Sequence, residues 1–422
     1  MAFNPLQERG IPIDQQLRNW SELNVDPYDK DGVDPYTRCR VIAMNGIEVE
    51  AILFSHQFAR NTADAALKQQ LAMTRRIEQQ QQKAINWLIP GQETTLEVTI
   101  GYEQVAVDLT AWVAQAEPNP YARQAYEFGL LEDFDHLYRY ANLLDMMDGK
   151  KAAEVVGQLT EIMPGRPTRL EHRHPFDEIR RHLIAENADP LSSLHALTIV
   201  AAEQQTMNFY MTIGNRPQEK IARGLYLEIA QIEEQHVTHY ESLMDPSLSW
   251  AAKLVQHEYN ECYMYYSFMQ QESDPRIKRI WELHLNMELE HLRLACELMK
   301  RVDRTDPEAM LPRSLPEPVK FQSNKEFVRR VLKDQVDLTA DQSEFVPVTQ
   351  LPKDHRYFWY QRQVNADGLI PSEQVIDAHR RERGDREYRL ETDGVHPVPG
   401  LREQDRGKGL EYDRMMSEAA AE

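Results

Sequence analysis

The chain has 422 residues, with 48 Lys and Arg against 68 Asp and Glu and a formal net charge of −20. That acidity disfavours nucleic acid and anionic membranes as partners. Apolar residues make up 41% of the chain, enough for a large core, and no apolar run approaches the ~20 residues of a membrane span.

The opening MAFNPLQERG lacks the basic start and apolar stretch of a signal peptide, so a cytoplasmic protein is expected. Cys39, Cys262 and Cys296 are widely spaced and make neither a disulfide framework nor a thiolate metal site. Residues 1–47 read as an irregular arm, because NVDPYDKDGVDPYTRCR is rich in turn formers without the spacing of a calcium loop. From 48 to 89 the periodicity predicts one long helix ended by Pro90-Gly91, with His56 and Glu78 as ordinary helix residues. A second helix over 93–116 carries Glu103 between Ile100 and Val107. After EPNP, a third over 121–147 carries Asp133 and His136. Residues 149–188 form a connection with one or two short helices, in which His172 and His174 read as a surface pair.

Two long helices follow, joined near Gly214 and Pro217. Glu203 shares a face with Ile199, Thr206 and Tyr210, and Glu233 and His236 stand three apart in line with Ile229, Ile232, Tyr240 and Leu243. A third pair is predicted over 249–272 and 276–303. Beyond Asp306-Pro307 the prolines and charges rise. Apart from KEFVRRVLKDQ and DHRYFWYQRQV, residues 304–422 read as an extended, mostly irregular C-terminal arm across the helices or a neighbouring subunit.

The chemistry lies in a repetition. A shift of 55 carries Glu203, Glu233 and His236 onto Glu258, Glu288 and His291, and a shift of −100 carries them onto Glu103, Asp133 and His136. Three helix pairs thus bear an acid and, thirty residues later, an acid and a His at i and i+3. Carboxylates and imidazoles on apolar stripes are costly to bury unless something pairs with them, and mixed oxygen and nitrogen donors suit iron or manganese.

One carboxylate from each of two helices, with Glu-x-x-His from each of two others, is the ligand set of ferritin-like di-iron and di-manganese carboxylate proteins. Residues 50–303 resemble that superfamily. The resemblance implies an all-α fold: a ferritin-like four-helix bundle with flanking helices, about eight long ones in all. It also implies two iron ions, or manganese, or one of each.

Two ligand sets stay open. The preferred one is Glu103, Asp133, His136, Glu203, Glu233 and His236. The 67 residues between His136 and Glu203 leave room for a long crossover, and the layout resembles the ribonucleotide reductase small subunit and the hydroxylases of bacterial multicomponent monooxygenases. Its departure is Asp133 where such motifs have Glu, with Glu132 beside it. The alternative joins Glu203, Glu233 and His236 to Glu258, Glu288 and His291. There His284 completes HLNMELEH, similar to aminobenzoate N-oxygenase-type enzymes, but DPSLS permits only a tight turn. Tyr140 and Tyr240, with Tyr102, Tyr210 and Trp112, are candidates to stand behind the ligands, or are plain core aromatics.

The resemblance implies an oxidase or oxygenase using dioxygen on a small organic substrate, served by an electron-donor protein; a homodimer is expected only because bundles with extended arms often exchange them. A ferroxidase or peroxide-removing protein of the ferritin or rubrerythrin kind is a second reading. Against it stand the chain's length and the lack of a Cys-x-x-Cys tail. A metal-free helical scaffold, its acid–His pairs serving as structural hydrogen bonds, is the third.

Overall fold

The computed structural model describes residues 3–383 and 395–401. The fold is all-α. In chain order the helices are α1 (Trp20–Leu23), α2 (Pro35–Arg60), α3 (Ala65–Asn86), α4 (Thr95–Ala116), α5 (Pro120–Met147), α6 (Ala152–Val156), α7 (Pro190–Ile213), α8 (Lys220–Glu241), α9 (Trp250–Gln271), α10 (Pro275–Val302), α11 (Lys325–Gln335), α12 (Arg356–Val364) and α13 (Pro371–Arg383). One antiparallel hairpin, β1 (Leu338–Asp341) with β2 (Glu344–Pro347), lies between α11 and α12. No helix among the described residues is long and apolar enough to cross a membrane.

Local sequence sets the starts. Four long helices begin with an Asx residue whose side chain accepts from the first turn and a proline at the first helical position: Asp34-Pro35, Asn119-Pro120, Asp189-Pro190 and Asp274-Pro275. Thr94 with Glu97 forms a capping box at α4, and Ser249 caps α9.

Eight long helices pack as consecutive hairpins, α2 with α3, α4 with α5, α7 with α8 and α9 with α10. An offset of 155 residues carries α3, α4 and α5 onto α8, α9 and α10 with coincident boundaries, and the start of α2 onto that of α7. Residues 35–302 therefore repeat one four-helix unit twice. Between the two copies, α5 leads through α6 and the 3₁₀ turn Thr168–Glu171 to α7. In space α2 and α4 both pack on α7, α5 packs on α8, and α2 packs on α9.

Two expectations are corrected. The helix expected over 48–89 is two antiparallel helices, because Asn61 ends α2 and Asp64 caps α3; it also starts upstream, at Pro35. Among the described residues beyond 304, the two periodic stretches are α11, which packs on α5, and α12, while α13, where an irregular arm was expected, lies against α5 and α8. The Ser372 backbone N–H and hydroxyl both donate to Glu228 of α8, at 2.6 and 3.0 Å.

Candidate metal centre

Glu103 on α4, Asp133 and His136 on α5, Glu203 on α7, and Glu233 and His236 on α8 converge in the interior, none more than 2% exposed. The three-residue spacing turns each acid–His pair inward together. His236 Nδ1 lies 3.2 Å from Asp133 Oδ1, 3.3 Å from Glu233 Oε2 and 3.5 Å from Glu203 Oε2. His136 Nδ1 lies 3.1 Å from Glu233 Oε1. The six residues form two overlapping groups, Asp133, Glu203, Glu233 and His236 in one and Glu103, His136 and Glu233 in the other; within each, one donor atom per residue lies within 4.8 Å of the rest. Glu233 belongs to both.

Both oxygens of Asp133, both of Glu203, Glu103 Oε2, Glu233 Oε2 and His236 Nδ1 form no hydrogen bond among the described residues. Buried polar atoms are nearly always satisfied, and each orphan costs about 1–3 kcal/mol. So many aimed at one point fit a bound cation.

The imidazoles are held for that role from behind. His236 Nε2 is 3.0 Å from Glu132 Oε2, and His136 Nε2 is 3.0 Å from Glu171 Oε2. An ionised carboxylate only accepts, so Glu132 fixes a hydrogen on His236 Nε2, as an ionised Glu171 would on His136 Nε2; each imidazole, when neutral, then turns its Nδ1 lone pair to the centre, the arrangement typical behind metal-ligating histidines. Arg166 at 2.8 Å and Arg173 at 2.9 Å clamp Glu132. Burial would raise Glu132, but Arg173, His236 and Arg166 outweigh it and hold it well below the usual carboxylate range. Glu171 is pushed up to about 8 by burial, partly offset by His136.

The inward acids divide. Burial, offset in part by the histidines, lifts Glu103 and Glu203 well above the carboxylate range and raises Asp133. Glu233 is lowered, because His136 and His236 overcome its burial.

Around the ligands, the Tyr210 hydroxyl donates to Glu103 Oε1. Tyr140 stacks on Tyr210 and Tyr226 with centroids 5.2 and 5.0 Å apart, and Tyr240 stands 6.3 Å from the His236 ring. The hydroxyls of Tyr140 and Tyr240 form no hydrogen bond among the described residues, so of the expected aromatics Tyr210 is the one seen holding one of the six residues. Tyr102 stacks on Phe209 and Trp112 meets His195 edge-on. A groove of about 260 Å³, lined by Tyr210, Met211, Gly214, Arg223, Tyr226 and Leu227 among others, has Tyr210 as part of its wall.

The alternative grouping of Glu203, Glu233 and His236 with Glu258, Glu288 and His291 does not form. The α9–α10 residues gather instead with Glu78 of α3, whose side chain is 2% exposed rather than solvated. His284 is held between the Tyr265 hydroxyl at 3.1 Å and Arg18 at 3.0 Å. His172 is buried and pairs with Glu228 at 2.9 Å, and His174 accepts from the Phe176 backbone N–H.

Sequence reasoning missed Glu171, which sits on a 3₁₀ turn with no helical phase to betray it. It also missed Glu48 and Glu78, although they repeat the thirty-residue spacing of the other pairs. Comparison with protein-family models, with curated proteins and with solved structures finds no match to this chain.

Proposed function

We propose that the chain is a ferritin-like dinuclear-metal oxidoreductase that uses dioxygen to oxidise a small organic molecule. Glu103, Asp133, His136, Glu203, Glu233 and His236 would hold two iron ions, or manganese. The observation that carries this reading is the set of unpartnered, inward carboxylate oxygens beside two imidazoles whose Nε2–H is already taken. Four carboxylates and two neutral imidazoles balance two divalent ions, and reduced ions in such a set supply electrons to dioxygen.

The chain's own groups do the rest. Glu233 reaches both histidines and is the natural shared ligand. Glu132 and Glu171 fix the imidazole tautomers, and Arg166 and Arg173 keep Glu132 ionised. Tyr210 restrains one oxygen of Glu103 and leaves the other for the centre. Full burial excludes water, which strengthens every charge interaction there. The groove beside Tyr210 is of a size for a small organic molecule, and a donor protein would supply electrons.

Metal analysis of protein produced with ample iron, with oxygen uptake under added reductant, tests the reading. Glu203→Ala and His136→Ala should each lose about two bound ions per chain and the oxygen uptake. Unchanged metal content in both variants would remove the centre. Bound metal without oxygen uptake from any reductant would leave a metal-handling protein, and no metal at all a helical scaffold.

A further inference from the structure

The duplication has a second consequence. The offset of 155 carries Glu48, Glu78 and Gln81 onto Glu203, Glu233 and His236, and Glu103, Asp133 and His136 onto Glu258, Glu288 and His291. The candidate centre combines the later hairpin of the first copy with the earlier hairpin of the second. Exchanging the copies gives the complementary combination: Glu48 on α2, Glu78 on α3, Glu258 on α9, and Glu288 and His291 on α10.

These residues meet. Glu78, Glu258 and His291 bring one donor atom each within 4.8 Å of one another, as do Glu258, Glu288 and Glu261, an additional acid on α9. His291 Nδ1 is 2.9 Å from Glu288 Oε2, 3.8 Å from Glu258 Oε2 and 4.0 Å from Glu78 Oε1. All are buried, Glu48 and Glu288 completely. Glu48 Oε2, Glu78 Oε2, Glu258 Oε2 and both oxygens of Glu261 form no hydrogen bond among the described residues.

The imidazole is again fixed from behind, by a different group. Gln16, from the segment preceding α1, donates from Nε2 to the carbonyls of Ile11 at 2.7 Å and Met287 at 3.2 Å. Its Oε1 must therefore be the atom 2.8 Å from His291 Nε2, and an amide oxygen only accepts. His291 thus carries a hydrogen on Nε2 and, when neutral, presents a bare Nδ1 to the acids. A lone pair facing carboxylates is repulsive unless a proton or a metal cation lies between them. Gln81, at the position of His236, donates to Glu288 Oε1, so this cluster has one imidazole where the first has two.

We propose that Glu78, Glu258, Glu261, Glu288 and His291, with Glu48 beside them, form a second divalent-metal site, separate from the first. Its carboxylate-rich donor set favours a hard ion such as Mn²⁺ or Fe²⁺ over softer ones. The site does not depend on the oxidase reading, since it rests on its own residues.

The full-length protein, stripped by chelator and reloaded with Mn²⁺, tests this by counting bound metal. The forms compared are wild type, His236→Ala, Glu258→Gln/His291→Ala and all three changes together, each checked for folding by circular dichroism. The expected result is loss of about a third of the manganese, one ion of three, in Glu258→Gln/His291→Ala and of nearly all of it in the combination. A folded Glu258→Gln/His291→Ala protein that binds as much manganese as wild type overturns the second site, whatever His236→Ala does. Loss of manganese there with none in His236→Ala keeps the second site and removes the first. Should the double variant fail to fold, Gln16→Met decides. It leaves every ligand in place and should weaken manganese binding about 10–100-fold at this site alone; unchanged binding overturns the proposal.

Discussion

His136 and His236 differ from ordinary buried histidines in where the second ring nitrogen goes. Each Nε2 is taken by a buried carboxylate, Glu171 or Glu132, so each Nδ1 is committed to the centre. Glu132 also neutralises two buried guanidinium groups, and removing it would strand Arg166 and leave Arg173 to Glu178 alone. Glu171 has no such second duty and isolates the positioning effect. Glu171→Gln should keep a hydrogen bond to His136 Nε2 but remove the carboxylate behind it. Metal affinity at this centre is expected to fall about 10–100-fold, while the metal-free protein stays as stable as wild type or becomes more so. Competition with a chromophoric chelator measures the first and thermal unfolding the second; equal affinities would reduce Glu171 to packing. The convergence of these residues was legible from sequence because Glu103, Glu233 and His236 interrupt apolar stripes in helical phase. Glu171 was not, because a turn has no period against which one acid stands out. Nor could phase alone separate Asp133 from Glu132: Asp133 faces the centre, and its longer neighbour reaches the far side of His236.

At the scale of elements, the paired helices from Thr95 to Val302 were readable almost to the residue, since proline, Asx caps and apolar period agree there. The error came at Asn61–Asp64. No Gly or Pro marks that turn, and the polar run from Gln79 to Gln82 passes for a solvated face, although Gln81 and Gln82 are buried. Reading α2 and α3 as one helix hid the pairing of Glu48 with Glu78. Close approach is a second feature that helix patterns do not reveal. A Cβ at Gly129 of α5 would lie 2.0 Å from the Tyr240 hydroxyl oxygen and 3.0 Å from its ring carbon Cζ. Tyr240 is one turn beyond His236 on α8, so α5 and α8 can approach as they do only because residue 129 lacks a side chain. Gly129→Ala should cost about 1–3 kcal/mol through overpacking and lower metal occupancy by displacing the helix that carries Glu233 and His236. Denaturant unfolding and metal analysis measure the two effects. A fully stable, fully loaded variant would mean that Tyr240 swings aside freely.

The whole molecule joins two copies of a hairpin pair through segments belonging to neither, and Asp108 of α4 is where several meet. Its carboxylate accepts from the Tyr36 hydroxyl of α2 at 3.3 Å, from Thr160 in the segment joining the copies, and from Asn324, which precedes α11, at 3.3 Å. Burial pushes Asp108 up to about 7, against the pull of those hydrogen bonds and of Lys325; the other titratable neighbours are Tyr36 and Cys39. The folded protein therefore holds a proton that the unfolded chain, with an ordinary aspartate near 3.9, gives up. Folding takes up that proton between the two values. The stabilisation is complete below about pH 4 and falls as pH rises through 7, and the total swing has a ceiling of about 4 kcal/mol. Asp108→Asn removes the titration and keeps the shape. With metal-loaded protein, so that the carboxylates of the centres stay ionised, the stability of wild type relative to Asp108→Asn should decline steadily from pH 4 to pH 7 and then level off. Parallel profiles for the two proteins would mean that Asp108 is ionised across the range. The four segments would then be held by a buried charge rather than by a shared proton.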